Sequence, residues 1–561
     1  MISSAPQQAN SVLLLIMKLI IILTLACAFS STTLYAAAPH AKDPDTLFSE
    51  TVNSLSVKSF KTKAAAIDKL ATISHPRTIT VLQTMLDGKL YYRKNDKRVV
   101  LTDKKDGKFL IADAINGNGL EPAKKSGFKK ISVNNKLRKQ LRGAIARLSL
   151  YHESNEVRLN AVEQMIKNIT PESAKLLREA LDTETDESVL DVIHTGLALF
   201  DIDSNDKKIR LNAIKILGDS LNPEATNRLA TLLEKDEQEN YLETDREIRK
   251  AASAASQSIN DRLTLFSYIE TIFFGLSLGS VLLLVAIGLA ITFGVMGVIN
   301  MAHGELMMLG AYTTYLVQLA MPNNIDLSLF VAIPAAFVVA GLFGIAIERG
   351  VIRFLYGRPL ETLLATFGIS LVLQQLVRTT ISAQNVAVSN PSWMSGSLQI
   401  NPALAITYNR IYIIIFALLV FVGLLLILKK TSLGLHVRAV SQNRTMAKAM
   451  GIRTDWVDAL TFGLGAGIAG VAGVALSQLT NVGPNMGQTY IIDSFMVVVF
   501  GGVGNLWGTL VGALSLGVAN KFLEPWAGAV LAKILVLVFI ILFIQKRPRG
   551  LFPQKGRTAE H

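Results

Sequence analysis

Between residues 263 and 545 the chain is a succession of long apolar runs, and no other feature so narrows what it can fold into. A helix needs about 20 apolar residues to cross the hydrocarbon core, and in lipid every backbone polar group must be bonded within the protein. Candidate spans fall at 266–292, 299–320, 327–347, 361–382, 410–428, 457–478, 487–502, 506–522 and 527–545. The seventh and eighth are short, and one broken or re-entrant element is the alternative to two passages, so eight or nine crossings are expected. Only 18% of the 561 residues are charged, against roughly 25% in soluble domains. The predicted class is mainly α: a polytopic helical membrane domain over 263–547 with a 548–561 tail, preceded by an exported, soluble, helical-repeat domain with a small β insert.

The start of the chain has the form of a secretory signal over 1–38. Residues 19–29, "LIIILTLACAF", follow Lys18 and lead to small residues at Ala36 and Ala38. An uncleaved anchor is the alternative, and "TLAC" is a poor lipoprotein site. The single cysteine, Cys27, excludes an intramolecular disulfide and a cysteine metal cluster.

Residues 39–262 read as soluble helices with a weak repeat. "NEVRLNAVEQM" (155–165), "KKIRLNAIKIL" (207–217) and "REIRKAASAAS" (246–256) each place an aliphatic residue before an arginine: Val157–Arg158, Ile209–Arg210 and Ile248–Arg249. Spacing of this kind fits HEAT-like helix pairs, which stack because no pair buries its apolar face alone. "KLYYRKNDKRVVLTDKKDGKFLIADA" (89–114) is rich in strand formers, with turn signals at Asn95-Asp96 and Asp106-Gly107, and predicts a hairpin or meander. No nucleophile–base pair or metal-ligand cluster stands out, so binding or scaffolding is expected of this domain.

Loop charge sets an orientation. With 39–262 outside, the third span ends inside at Arg349, Arg353 and Arg358. The fifth runs into a loop carrying Lys429, Lys430, Arg438, Arg444, Lys448 and Arg453, and "SAQNVAVSNPSWMSGSLQINPA" (382–403), placed outside, has no Lys or Arg. The net charge of +13 therefore reads as membrane orientation. Without zinc-type spacing or an aromatic–basic array, nucleic acid is not an expected partner.

Polar groups inside the runs are candidates for a pathway, because an ionisable group at the bilayer centre costs at least ~2.5 kcal/mol. "VINMAHGELMMLGAY" (298–312) carries Asn300, His303 and Glu305. They face the bundle interior or a wet path and offer donors and acceptors to a polar solute; pairing with a neighbouring helix, or a bend around Gly304, is the structural alternative. Gly463, Gly465, Gly467, Gly470 and Gly473 suit close helix packing. Gly501, Gly502 and Gly504 mark a helix break and a secondary pathway candidate, and Asp493 and Lys533 are expected to pair.

"GLHVRAVSQNRTMAKAMGI" (434–452) predicts a short amphipathic helix stopped by Gly451, suited to lie on the membrane or dock in a partner's groove. The chain has no G-x-x-x-x-G-K-[ST] phosphate loop, so any ATP-driven work requires a separate subunit.

"AIGLAITFGVMGVINMAHGELMMLGAY" (286–312), "TSLGLHVRAVSQNRTMAKAMGI" (431–452) and "GPNMGQTYIIDSFMVVVFGGVGNLWGTLVGAL" (483–514) together resemble the branched-chain amino acid/urea permeases of ABC importers, over essentially all of 263–550. The exported extension, with "LYYRK", resembles more narrowly the urea permease subunit. The resemblance implies no enzymatic activity and no cofactor or metal, a second permease subunit, cytoplasmic ATPase subunits, a periplasmic solute-binding protein and an inner-membrane location. It makes 434–452 the ATPase-coupling loop, shaped by Gly434, Arg438, Asn443, Ala447 and Gly451: small residues for close approach, Arg438 for forked hydrogen bonds, and Gly451 as the stop. Urea or a small amide is the expected solute and a branched-chain amino acid the alternative. A receptor with an exported sensor domain is the competing class.

Overall fold

Short polar side chains set where the soluble helices begin. Asn134, Thr170, Asp206, Asn222 and Asp245 each accept a hydrogen bond from an amide in the first turn of the helix that follows. Such caps contribute about 1 kcal/mol each, and Pro171 and Pro223 take first-turn positions where no amide donor is needed. The computed structural model describes residues 44–73, 75–105, 108–120 and 127–553. The 1–38 signal, the Asp106-Gly107 turn and the end of the tail lie outside them. The chain divides into two compact units, one ending at Leu197 and the other starting at Ala198.

The first unit opens with α1 (Pro44–Ser54), α2 (Phe60–Leu70) and α3 (Thr78–Leu86). An antiparallel sheet follows, of β1 (Leu90–Arg93), β2 (Val99–Lys105), β3 (Lys108–Asp113), β4 (Gly119–Leu120) and β5 (Phe128–Lys130), in the order β4-β3-β2-β1-β5. Its first four strands form the meander that is one of the two expected arrangements, and β5 extends it by returning to pair with β1, Tyr91 opposite Lys130 and Arg93 opposite Phe128. Phe48, Ile67, Leu82, Leu90 and Leu137 join helices and sheet in one core. Then come α4 (Asn135–Leu150), α5 (Asn155–Ile166), α6 (Pro171–Leu181) and α7 (Glu187–Asp201), the last straddling the unit boundary.

The recurring arginines do one job. Arg158 grips Glu184 with Nε at 2.7 Å and Nη2 at 2.9 Å, and its Nη1 donates to the carbonyls of His152 and Glu153. These bonds hold the Glu184 carboxyl below the ordinary range. In the second unit Arg210 repeats the pattern with Glu243 and the Ile202 carbonyl. Arg249 bonds the carbonyls of Glu243 and Thr244 and lies over the Tyr241 ring.

In the second unit α8 (Lys207–Asp219) and α9 (Pro223–Thr231) pack on the start of α10 (Arg246–Met296). Helix α10 has 51 residues, about 75 Å at 1.5 Å per residue, and passes through position 262/263 without a break. The following helices are α11 (His303–Ala320), α12 (Ile325–Gly350), α13 (Pro359–Thr380), α14 (Tyr408–Lys430), α15 (Ser432–Gln442), α16 (Arg444–Ala449), α17 (Thr454–Ser477), α18 (Met486–Gly501) and α19 (Leu506–Lys546), with a β6–β7 hairpin (Ser397–Asn401, Leu404–Thr407) before α14. Among the described residues six helices are long and apolar enough to cross a membrane: α10, α12 with the turn after it, α13, α14, α17 and α19.

Helix α19 is two helices joined across a kink. Gly275 lies against Val518 and Gly279 against Leu514, so its first half runs antiparallel to α10. Gly512 lies against Val497 and Gly501 against Gly508, so that half is also antiparallel to α18. Asp493 pairs with Lys533 at 2.9 Å and Phe500 packs on Phe539 and Phe543, so the second half runs parallel to α18. The reversal falls at Pro525 and Gly528, whose φ of 74° is left-handed. At the bundle centre is α17, 89% of whose apolar window is buried, against 22% for α14 and 17% for α19.

Candidate functional site

The polar groups of 298–312 fall where helix geometry fails. Helix α10 stops at Gly297, in the left-handed region at φ 69°, and α11 starts only at His303. His303 Nε2 donates to the Val285 carbonyl at 3.0 Å. Val285 is eleven residues before the end of α10, so α11 starts about 16 Å back along it, a length equal to about half of a hydrocarbon core some 30 Å thick. Non-helical backbone within such a core is tolerated only when buried in protein or lining a cavity. Here its amides are bonded within the protein: that of Met301 donates to Thr366 Oγ1 (3.1 Å) and that of Ala302 to Asn300 Oδ1 (3.0 Å).

Asn300, His303 and Glu305 are all at most 1% exposed, and the structure brings them together in the first turn of α11 and the turn before it. Gln374 Nε2 donates to Glu305 Oε1 at 2.7 Å and Ser370 Oγ at 3.1 Å, both from α13. Among the described residues no hydrogen-bond partner reaches Glu305 Oε2, Asn300 Nδ2 or His303 Nδ1. Helix α18 begins here too. Gly487 packs so tightly that a Cβ on it would lie 2.6 Å from Glu305 Oε2 and from the Gly304 carbonyl carbon. Two helix N-termini thus meet around one carboxylate. Ser370, Gln374 and Gly487 escaped the sequence reading, although Ser370 and Gln374, four apart in an apolar run, share a helix face.

The glycines of α17 fit the close packing expected of them. Gly465 meets Gly288 of α10, Gly470 and Gly473 meet α11 at Gly310 and Met307, and Gly463 and Gly467 meet α12. Gly501, Gly502 and Gly504 do mark a helix break, with φ 106° at Gly502 and 76° at Gly504. They are not brought to Glu305. They pack at the far end of α18, against Gly508, Phe552 and Gly294.

The 434–452 loop is two helices where one was expected. Asn443 takes an extended conformation (φ −151°, ψ 100°), and its Oδ1 accepts the Met446 amide at 2.9 Å, ending α15 and capping α16. An Asn side chain that bonds nearby backbone competes with helix continuation. Gly434 sits against Leu428 with no room for a Cβ, Ala447 is buried, and Gly451 (φ 87°) faces open space. Arg438 turns back to the Leu428 carbonyl at the end of α14. Leu435, Met446 and Met450 are left on the outer surface, 59%, 60% and 77% exposed. Arg444, expected only as one of the loop's orienting charges, binds Asp458 of α17.

A bundle of apolar helices around a polar centre defines a multi-pass membrane protein. Residues 271–544 match the family described as branched-chain amino acid transport system / permease component. The chain is 33% identical over 293 residues to the high-affinity branched-chain amino acid transport system permease protein LivH of Salmonella typhimurium, covering 51% of this chain and 95% of that protein. It is 32% identical over 297 residues to the corresponding protein BraD of Pseudomonas aeruginosa, covering 51% and 96%. A more distant similarity, 24% over 257 residues, links it to the ribose import permease protein RbsC of Haemophilus influenzae, 44% of this chain and 74% of that one. The chain belongs to the branched-chain amino acid permease family.

Proposed function

We propose that this chain is a solute-conducting permease subunit of an ATP-driven importer of branched-chain amino acids in the bacterial inner membrane. It works with a second permease subunit, cytoplasmic ATPase subunits and a periplasmic solute-binding protein, and is not itself an enzyme. The observation that carries the reading is the similarity to branched-chain relatives over about 95% of their own length, with the family region 271–544 holding both the Glu305 centre and the α15–α16 loop. Ammonium and carboxylate groups of an amino acid suit a site with a carboxylate and two helix N-termini, the arrangement by which broken helices hold charged solutes. By the loop-charge rule, the end bearing Arg349, Arg444 and Arg453 faces the cytoplasm, as does the C-terminus, and the helices and sheet that precede the membrane bundle face the periplasm. Leu435, Met446 and Met450 are the apolar knobs for a groove on the ATPase.

The second reading is a urea permease, favoured by the folded extension before residue 271, which the family match does not include. Uptake of labelled leucine and labelled urea in cells with and without this chain separates the two. Loss of leucine uptake alone is expected. Loss of urea uptake alone overturns the amino-acid reading, and no change in either overturns the transport reading.

A further inference from the structure

If the α15–α16 loop is where an ATPase pushes, something must carry that push to the Glu305 centre. We propose that Arg444 is the positioning residue that does so, clamping α16 at once to the base of α17 and to the segment leading into α13; the inference rests on the permease reading above. The Arg444 guanidinium takes Asp458 with both arms, Nη1 to Oδ1 at 3.1 Å and Nη2 to Oδ2, and its Cζ lies 4.0 Å from the centre of the Tyr356 ring. Asp458 is 3% exposed in the first turns of α17, and Tyr356 lies three residues before Pro359, where α13 starts. Arg349, at the end of α12, stacks on Trp456 with 4.6 Å between Cζ and the ring centre, so α12 and α17 are joined at the same level.

Both elements that Arg444 grips lead to the Glu305 centre. From Asp458 to Gly470 and Gly473, which pack on α11, is twelve to fifteen residues of unbroken helix, about 18–22 Å. From Pro359 to Ser370 and Gln374, which hold Glu305, is eleven to fifteen residues, about 16–22 Å. Packed helices of this length move as rods. The break at Asn443 lets α16 turn relative to α15, so movement of α16 is passed on through the Arg444 clamp rather than through continuous helix. Arg438 is no substitute, since it bonds the end of α14 at the bundle rim. A planar two-armed group that also stacks on an aromatic ring is a task lysine does not reproduce.

The test uses the whole importer in proteoliposomes: this chain with its second permease subunit, ATPase subunits and binding protein. Arg444→Lys and Asp458→Asn should leave ATPase subunits co-purifying as with wild type, while solute moved per ATP hydrolysed falls about tenfold, within the usual range for a coupling between sites. Exchanging the pair, Arg444→Asp with Asp458→Arg, should recover part of the loss. Wild-type transport per ATP in both single variants overturns the clamp, and so does a loss of transport matched by loss of ATPase association, which marks a docking or folding role. The wild-type assembly reads out separately: if it shows no ATP-driven uptake, the permease reading itself fails.

Discussion

Glu305 separates a structural carboxylate from a conducting one, because its two oxygens have different surroundings. Oε1 accepts from Gln374 and Ser370, whereas Oε2 has no hydrogen-bond partner among the described residues and lies against Gly487. Glu305→Ala removes the acceptor for two buried donors. Gln374 keeps only a 3.4 Å contact to Ser370, and each donor left unsatisfied costs about 1–3 kcal/mol. The apparent melting temperature of the detergent-solubilised importer should therefore fall. Glu305→Gln keeps shape and the amide oxygen, so Gln374 and Ser370 retain their partner and melting should stay close to wild type. What it removes is the carboxylate oxygen that, on the permease reading, is there to meet a solute ammonium, and a hydrogen bond to a charged group is worth about 1.5–3 kcal/mol, or roughly 10–150-fold in affinity. Leucine uptake by Glu305→Gln should accordingly drop by at least about tenfold at limiting solute. If Glu305→Gln transports like wild type while Glu305→Ala only lowers melting, the carboxylate braces α11 against α13 and does not meet solute.

Gly473→Ala places a methyl group against the Met307 carbonyl and 2.7 Å from the Ala311 amide nitrogen, and overpacking of this kind costs about 1–3 kcal/mol. Melting should fall for that variant and hold for Gly368→Ala, where nothing lies within 4 Å, with equal melting of the two as the contrary result. Met446→Asp combined with Met450→Asp should cut co-purification of the ATPase subunits far more than Arg438→Ala, since two exposed apolar side chains are lost in one case and a bond to the chain's own Leu428 carbonyl in the other. Arg158 holds the Glu184 carboxyl below its unfolded value, so this pair adds stability above that value, near 4.3, and loses it as pH falls through the lower folded one. Hydrogen exchange in α5 and α6 should rise on acidification in the full chain, and Arg158→Ala should show faster exchange already at neutral pH.

The apolar runs, the Arg158–Arg210–Arg249 series and the glycines of 463–473 determined the class of fold by themselves, because burial in lipid, capping of helix pairs and backbone-to-backbone packing are all written as local residue patterns. So were the Asp493–Lys533 pair and the inward placement of Asn300, His303 and Glu305, since a charge in hydrocarbon has few alternatives to a partner or the interior. Tertiary structure alone decided that α11 and α18 start side by side, Gly304 against Gly487, that Ser370 and Gln374 hold Glu305, that α19 doubles back at Gly528, and that Arg444 rather than Arg438 joins the loop to α17. Each of these depends on which helices become neighbours, often across tens of residues of sequence. Which arginine finds a carboxylate is settled by that packing, and the local pattern around Arg438 and Arg444 is the same basic, helix-forming stretch for both.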